Sequence, residues 1–162
     1  MGKEKRMLAA DFGASGGRVM AGSYDGGKIT LSQIHRFSND PVWLFDTMHW
    51  DFLRLLFELK SGIKKADQSG KVDSIGVDTW GVDFGIVDKN GRLMENPVHY
   101  RDGRTLGMAG QVEKRIPQSE LYRITGNQIM EINTVFQLYA LLQSRPDFFR
   151  GGRKAFADAG SF

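Results

Sequence analysis

Three short stretches hold residues whose types and spacing could do chemistry. In Asp11-Phe12-Gly13-Ala14-Ser15-Gly16-Gly17-Arg18, a carboxylate closes an apolar run and a Gly/Ser-rich turn follows it. Glycines let backbone N–H groups converge on phosphate oxygens, Ser15 can add a hydroxyl donor, and a strand-end carboxylate can hold Mg²⁺ through water. The same residues also suit a plain glycine-rich hairpin turn. A Walker-type loop is excluded, because no Gly-Lys-Ser/Thr follows and the turn leads into a strand.

The second stretch is Asp78-Thr79-Trp80-Gly81-Val82-Asp83-Phe84. A buried carboxylate without donors costs several kcal/mol, on the order of a lost ion pair, so two of them at the mouth of a strand call for donors or water. Sugar hydroxyls are such donors: an aspartate accepts from vicinal hydroxyls, an indole face covers the C–H side of a sugar, and glycine lets backbone approach it. Equally, Asp78 could cap a turn and Trp80 could be core. In the third stretch, His99-Tyr100-Arg101-Asp102-Gly103-Arg104-Thr105, Arg101 or Arg104 could bind an anionic or hydroxylated ligand in fork geometry. An ion pair with Asp102 and a core role for Tyr100 fit as well.

The chain that must position these residues has 162 residues, enough for one domain of ordinary size. Its net charge of +3 lies largely at the ends, too sparse for a duplex-binding face, so nucleic acid is not an expected partner. No apolar run approaches ~18 residues, which predicts no membrane span and a cytoplasmic address. With no cysteine and three scattered histidines, no thiolate or histidine-rich metal site is expected.

Met7 to Asp11 reads as a strand, and Arg18–Tyr24, a Asp-Gly-Gly turn and Lys28–Ile34 as a hairpin. Residues 37–49 read as a loop. Phe52, Leu55, Leu56, Leu59 and Ile63 form one helical stripe behind an Asp51 N-cap, with Trp50 and Leu55 spaced as a hydrophobic staple. Val72–Asp78 is predicted to be a central strand parallel to the first. Phe84–Val87 and Arg92–Met94 flank an Asn-Gly turn. Three helices follow: one ending near Arg115, one over Ser119–Thr125 stopped by Gly126, and one from Asn133 with Val135, Leu138, Tyr139 and Leu142 as its buried stripe. The terminal "RGGRKAFADAGSF" shows neither periodicity nor a closing element.

Taken in order, "DFGASGGR", "HRF" followed by Trp50-Asp51, "DSIGVDTWGVDF", "YRD-RT" and "NT-x-x-QL" (Asn133-Thr134, Gln137-Leu138) strongly resemble the N-terminal lobe of the FGGY carbohydrate kinases. The Asp-x-Gly turn is shared across the actin-like and sugar-kinase superfamily and identifies only the fold. "DTWGVDF" is much more specific, to the branch that phosphorylates L-rhamnulose.

The resemblance implies an α/β fold, a ribonuclease-H-like lobe with a mixed five-stranded sheet and flanking helices, two such lobes closing over ATP and sugar. It implies transfer of the γ-phosphate of MgATP to a sugar hydroxyl, with L-rhamnulose 1-phosphate as product. Carried over by motif, Ala14, Ser15, Gly16, Gly17 and Arg18 would touch the ATP phosphates and Asp11 would help place Mg²⁺. Gly81, Trp80 and Asp83, with Asp78 and Arg101, would line the sugar site. The family's general base is an aspartate near the start of the second lobe, and no residue of this chain matches it. The expectation is therefore a partial first lobe over residues 1–162, with the tail 146–162 departing from the family pattern and the ATP-binding lobe absent. Such a chain would be inactive alone and would self-associate through an exposed sheet edge. Two alternatives remain open: another FGGY kinase acting on a different ketose or polyol, and a noncatalytic actin-like module that binds nucleotide or a partner protein.

Overall fold

The computed structural model of the chain describes residues 4–146 and the backbone of 156–158. It comprises two compact units, Met1–Pro41 with Trp50–Gly81, and Val42–His49 with Val82–Phe162. Most of the tail 146–162, including its Arg-Gly-Gly-Arg run, lies outside the described residues.

The first unit is a sheet with one helix on its inner face. Strand β1 (Lys5–Phe12) pairs antiparallel with β2 (Gly16–Tyr24), and β2 with β3 (Ile29–Ser38), as the turn signals predict. Between β2 and β3 the register steps from Val19↔His35 to Met20↔Gln33, so Ile34 is an extra, bulged residue. That bulge is why the alternation in Lys28–Ile34 reads imperfectly. Strand β6 (Ser74–Asp78) joins β1 in parallel, giving the order β3-β2-β1-β6. The expected five strands are therefore four among the described residues. β6 is also not central: it lies at the edge, with Ile75 48% and Val77 42% exposed.

Helix α1 (Phe52–Asp67) covers the face formed by Leu8, Ala10, Val19 and Ala21, with Ala66 completing that core. Asp51 caps it by accepting a hydrogen bond from the N–H of Arg54, and Trp50 and Leu55 are both buried. The buried line runs through Leu55, Glu58, Gly62 and Ala66, not through Leu56, which is 37% exposed. Gly62 is there for space: a Cβ would lie 2.4 Å from Val19 Cγ2. Glu58 is tolerated because His35 and Arg54 donate to its two oxygens, while Lys65 donates to the other nitrogen of His35.

The second unit opens with a hairpin, β4 (Val42–Leu44) and β5 (Thr47–His49), where the sequence suggests a loop. No residue of β4 is buried, so no alternating pattern marks it. Its turn holds Phe45 at φ 56° and 94% exposed. Strand β7 (Phe84–Ile86) pairs antiparallel with β8 (Phe156–Asp158), an element the tail's composition does not announce. The predicted turn after β7 forms, closed by an isolated Val87↔Leu93 bridge. Asp88 accepts from the N–H groups of Asn90 and Arg92, and only Gly91 has positive φ (78°). Thus the loop is a three-residue turn with its last position left-handed, not a two-residue one.

Helices α2 (Met108–Glu113), α3 (Gln118–Thr125, stopped at Gly126 with φ 69°) and α4 (Thr134–Ser144) complete this unit. Along α4 the buried residues are Phe136, Gln137, Ala140 and Leu141. Val135, Leu138, Tyr139 and Leu142 instead line an apolar groove with Val112 and Ile116. The predicted stripe is displaced because a polar residue, Gln137, occupies the buried side.

Candidate functional site

At the end of β1 the chain leaves Asp11, turns through Gly13-Ala14-Ser15 and returns along β2. The N–H of Gly13 donates to the carbonyl of Gly16 (2.9 Å), and Asn39, 4% exposed, braces the turn from β3's far end. Its Nδ2 donates to the carbonyl of Gly13 (2.8 Å) and its N–H to that of Ser15 (3.3 Å). None of Gly13, Gly16 or Gly17 has positive φ. They are glycine for want of room: a Cβ on Gly17 would lie 2.2 Å from Phe37 Cζ, and one on Gly13 2.8 Å from the carbonyl of Gly16. Phe37 in turn packs on Phe12, ring centres 5.6 Å apart.

This frame leaves donors free. No described residue accepts from the N–H of Ala14 or Ser15. Beside them opens a cleft of about 680 Å³ lined by Asp11, Gly13, Ser15, Gly16, Gly17 and Arg18, together with Arg36, Phe37 and Ser38. Asp11 and Arg18 face each other in register and pair through Asp11 Oδ2, with Nε at 3.0 Å and Nη2 at 2.9 Å. Asp78 stands in register with Asp11 on the other side. Across β6, β1, β2 and β3 one row therefore reads Asp78, Asp11, Arg18, Arg36. The structure thus gathers the predicted phosphate and metal residues into one open, charged place.

The predicted sugar residues are divided between the units. In the first, Trp80 is half-buried and stacks on the buried Trp50, centroids 4.0 Å apart at 25°. A Cβ on Gly81 would meet nothing within 4 Å. In the second, Asp83 is 3% exposed: its Oδ1 accepts from Gln137 Nε2 (3.0 Å) and its Oδ2 from the N–H of Tyr100 (3.3 Å). Gln137 also donates to the carbonyls of Val82 and Ile132 and accepts from Arg104 Nη2 (2.7 Å). Thr134 Oγ1 donates to the carbonyl of Val82 as well (2.7 Å).

Around this network, Asp102 accepts from the N–H groups of Met48 (2.8 Å) and Arg104 (2.9 Å), so it caps backbone where an ion pair with arginine was an option. Arg101 is exposed and lies over the Tyr100 ring, 5.3 Å from its centroid. His99 is 2% exposed, its Nδ1 accepting from the N–H of Arg101. Burial pulls its pKa below the ordinary value, against the attraction of Asp83. Among the described residues no group of three or more His, Asp or Glu could hold a metal on its own.

Asn39, Glu58 and Gln137 escape a sequence reading that looks for chemistry. Only Gln137 carried a signal, as part of "NT-x-x-QL".

The chain is similar to known proteins in sequence and in fold. The rhamnulokinase of Klebsiella pneumoniae (strain 342) is 40% identical over 146 residues, covering 88% of this chain and 30% of that protein. The rhamnulokinase of Oceanobacillus iheyensis is 44% identical over 141 residues, covering 86% and 30%. The chain thus spans 30% of the length of these curated relatives. Among solved structures, a gluconate kinase from Lactobacillus acidophilus matches with a TM-score of 0.77 at 14% identity, over 91% of this chain and 30% of that one. Plasmodium falciparum glycerol kinase with ADP matches at 0.72 and 16%, over 97% and 33%. At such identities they show the fold, that of the sugar kinases with ribonuclease-H-like lobes. Residues 6–157 match the N-terminal domain of the FGGY family of carbohydrate kinases, reaching into the tail, and the chain belongs to that family.

Proposed function

We propose that this chain is the phosphate-cradling and sugar-contacting part of a kinase that transfers the γ-phosphate of ATP to L-rhamnulose, giving L-rhamnulose 1-phosphate. The observation that carries it is the braced glycine turn, with free N–H groups at Ala14 and Ser15 beside the Asp11–Arg18 pair. The acceptor is supported by the identity of 40% and 44% to two proteins named rhamnulokinase.

In the transfer, a sugar hydroxyl oxygen bonds to the γ-phosphorus, the bond to the β-phosphate oxygen breaks, and ADP leaves with that electron pair. The work of the protein is positioning and charge stabilisation. Ala14, Ser15, Gly16, Gly17 and Arg18 hold the phosphates. Asp11 suits Mg²⁺ held through water: its Oδ2 is taken by Arg18, while no described residue donates to Oδ1. Bound there, Mg²⁺ would neutralise phosphate charge. Sugar contact is assigned to Gly81, Trp80 and Asp78 in the first unit and to Asp83 and Arg101 in the second. The hydroxyl proton goes to a base that no residue of this chain matches, so the isolated chain binds and does not turn over.

Calorimetric titration with L-rhamnulose, D-xylulose, glycerol and MgATP, beside a coupled ADP assay, tests this. L-rhamnulose should bind most tightly, Trp80→Ala should weaken it about tenfold or more, and no ADP should form. Equal binding of D-xylulose or glycerol would replace the acceptor, and sugar phosphate made by the purified chain would overturn the assignment of the base. The edge strand β6 is further proposed to pair with a second copy, which a concentration-independent monomer in light scattering would contradict. No described helix is long and apolar enough to cross a membrane, in keeping with the proposed cytoplasmic address.

A further inference from the structure

The charge row across the first sheet is uneven in a way the phosphate turn alone does not explain. Arg18 is matched on β1 by Asp11 and forms an ion pair with it. On its other side, Arg18 stands directly opposite Arg36 of β3, a second guanidinium in the same register. Arg36 is exposed, and its guanidinium makes no ion pair or hydrogen bond with any described residue. Like charges directly opposite across two strands destabilise a sheet. A fold that keeps such a pair, at a place where nothing in the packing requires it, keeps it against its own stability.

The cleft supplies the compensation. Arg36 lines it with Ser15, Gly16, Gly17 and Arg18, and the free N–H groups of Ala14 and Ser15 stand on the same turn. An anion there would be shared by two guanidinium groups and would turn their repulsion into attraction. Arginine presents planar forks matched to phosphate oxygens. Because Arg18 already engages Asp11, Arg36 is the guanidinium with its full hydrogen-bonding capacity open.

We propose that Arg36 is a second cationic contact for the polyphosphate, sharing its charge with Arg18, while Arg18 also positions Asp11. This rests on the reading of the glycine turn as the phosphate site. The test titrates the chain with inorganic tripolyphosphate and with MgATP at two salt concentrations, using wild type, Arg36→Gln and Arg36→Lys. Arg36→Gln should weaken tripolyphosphate about tenfold, the loss of one charge-assisted hydrogen bond, and should lessen the salt dependence. Arg36→Lys should keep that salt dependence and bind between the two. Without any anion at low salt, Arg36→Gln should melt at the same temperature as wild type or higher, since a repulsion is gone.

Wild type that takes up neither ligand would overturn the phosphate reading and this proposal together. Wild type that binds, with Arg36→Gln binding equally, would overturn Arg36 alone. A lowered melting temperature in Arg36→Gln, with binding lost also in Arg36→Lys, would show a structural role and likewise overturn it.

Discussion

The two polar clusters of this chain are built on opposite principles. At the glycine turn, the charges of Asp11, Arg18 and Arg36 lie on an open cleft and their hydrogen-bonding capacity is only partly used. Around Gln137, Asp83, Val82, Thr134 and one amino group of Arg104 are tied into a largely buried network, with Arg104 Nε left without a partner among the described residues. Open, underused charge is available for a ligand, whereas a closed network gives stability and shape to what surrounds it. A polar residue's type says little about which of the two it serves; the state of its partners says more.

The contrast breaks most readily at Gln137. Gln137→Leu removes one donor to a buried carboxylate and the acceptor for Arg104, and is expected to lower unfolding free energy by about 3 kcal/mol, measured by urea denaturation. Arg36→Gln in the same experiment should shift it by no more than about 0.5 kcal/mol; equal losses would erase the distinction. Next comes Gly17→Ala, whose Cβ would collide with the Phe37 ring. It should cost about 1–3 kcal/mol and reduce phosphate binding, because the ring braces the same strand. Asp51→Ala removes a helix cap that does not line the phosphate cleft, with an expected loss of about 1 kcal/mol and unchanged tripolyphosphate titration.

The smallest effect is one of pH. His99 has a folded pKa below its ordinary 6.5, so the unfolded chain takes up its proton first as pH falls. Stability from His99 is present above about pH 6.5 and declines below it. Glu58 also has a lowered folded pKa: burial raises it, but the hydrogen bonds from His35 and Arg54 outweigh that. Its contribution is present above the ordinary 4.5 and is lost as pH falls further. Urea midpoints should therefore begin to fall with acid first through His99, and His99→Gln should flatten the curve just below the ordinary 6.5 while leaving the lower limb.

Local signals carried much of this into the sequence. Asp51 as a cap, Gly126 as a stop and the Asp-Gly-Gly turn before β3 each act within a few residues, so each is readable. The partners of Glu58 and Asp83 are not, because His35 lies 23 positions from Glu58 and Gln137 lies 54 from Asp83. Only folding brings them together, and only that makes their burial tolerable. The shifted stripe of α4 has the same origin: apolar periodicity cannot foresee that a glutamine will be as buried as the neighbouring phenylalanine. β6 fails as a central strand for a different reason, since an apolar run records what a strand could cover and not what is present to cover it. At the site, the motif located the turn and its carboxylate, but the register that sets Arg36 against Arg18 depends on the bulge at Ile34.

Asn39 spans the glycine turn with two hydrogen bonds, and Phe37 presses on it from the neighbouring strand. A turn held this way has little freedom left to lose when a ligand arrives. Association there should carry a small entropic penalty from the backbone, so the heat of phosphate binding should come mainly from electrostatics and released water, with the loop already in its final shape beforehand.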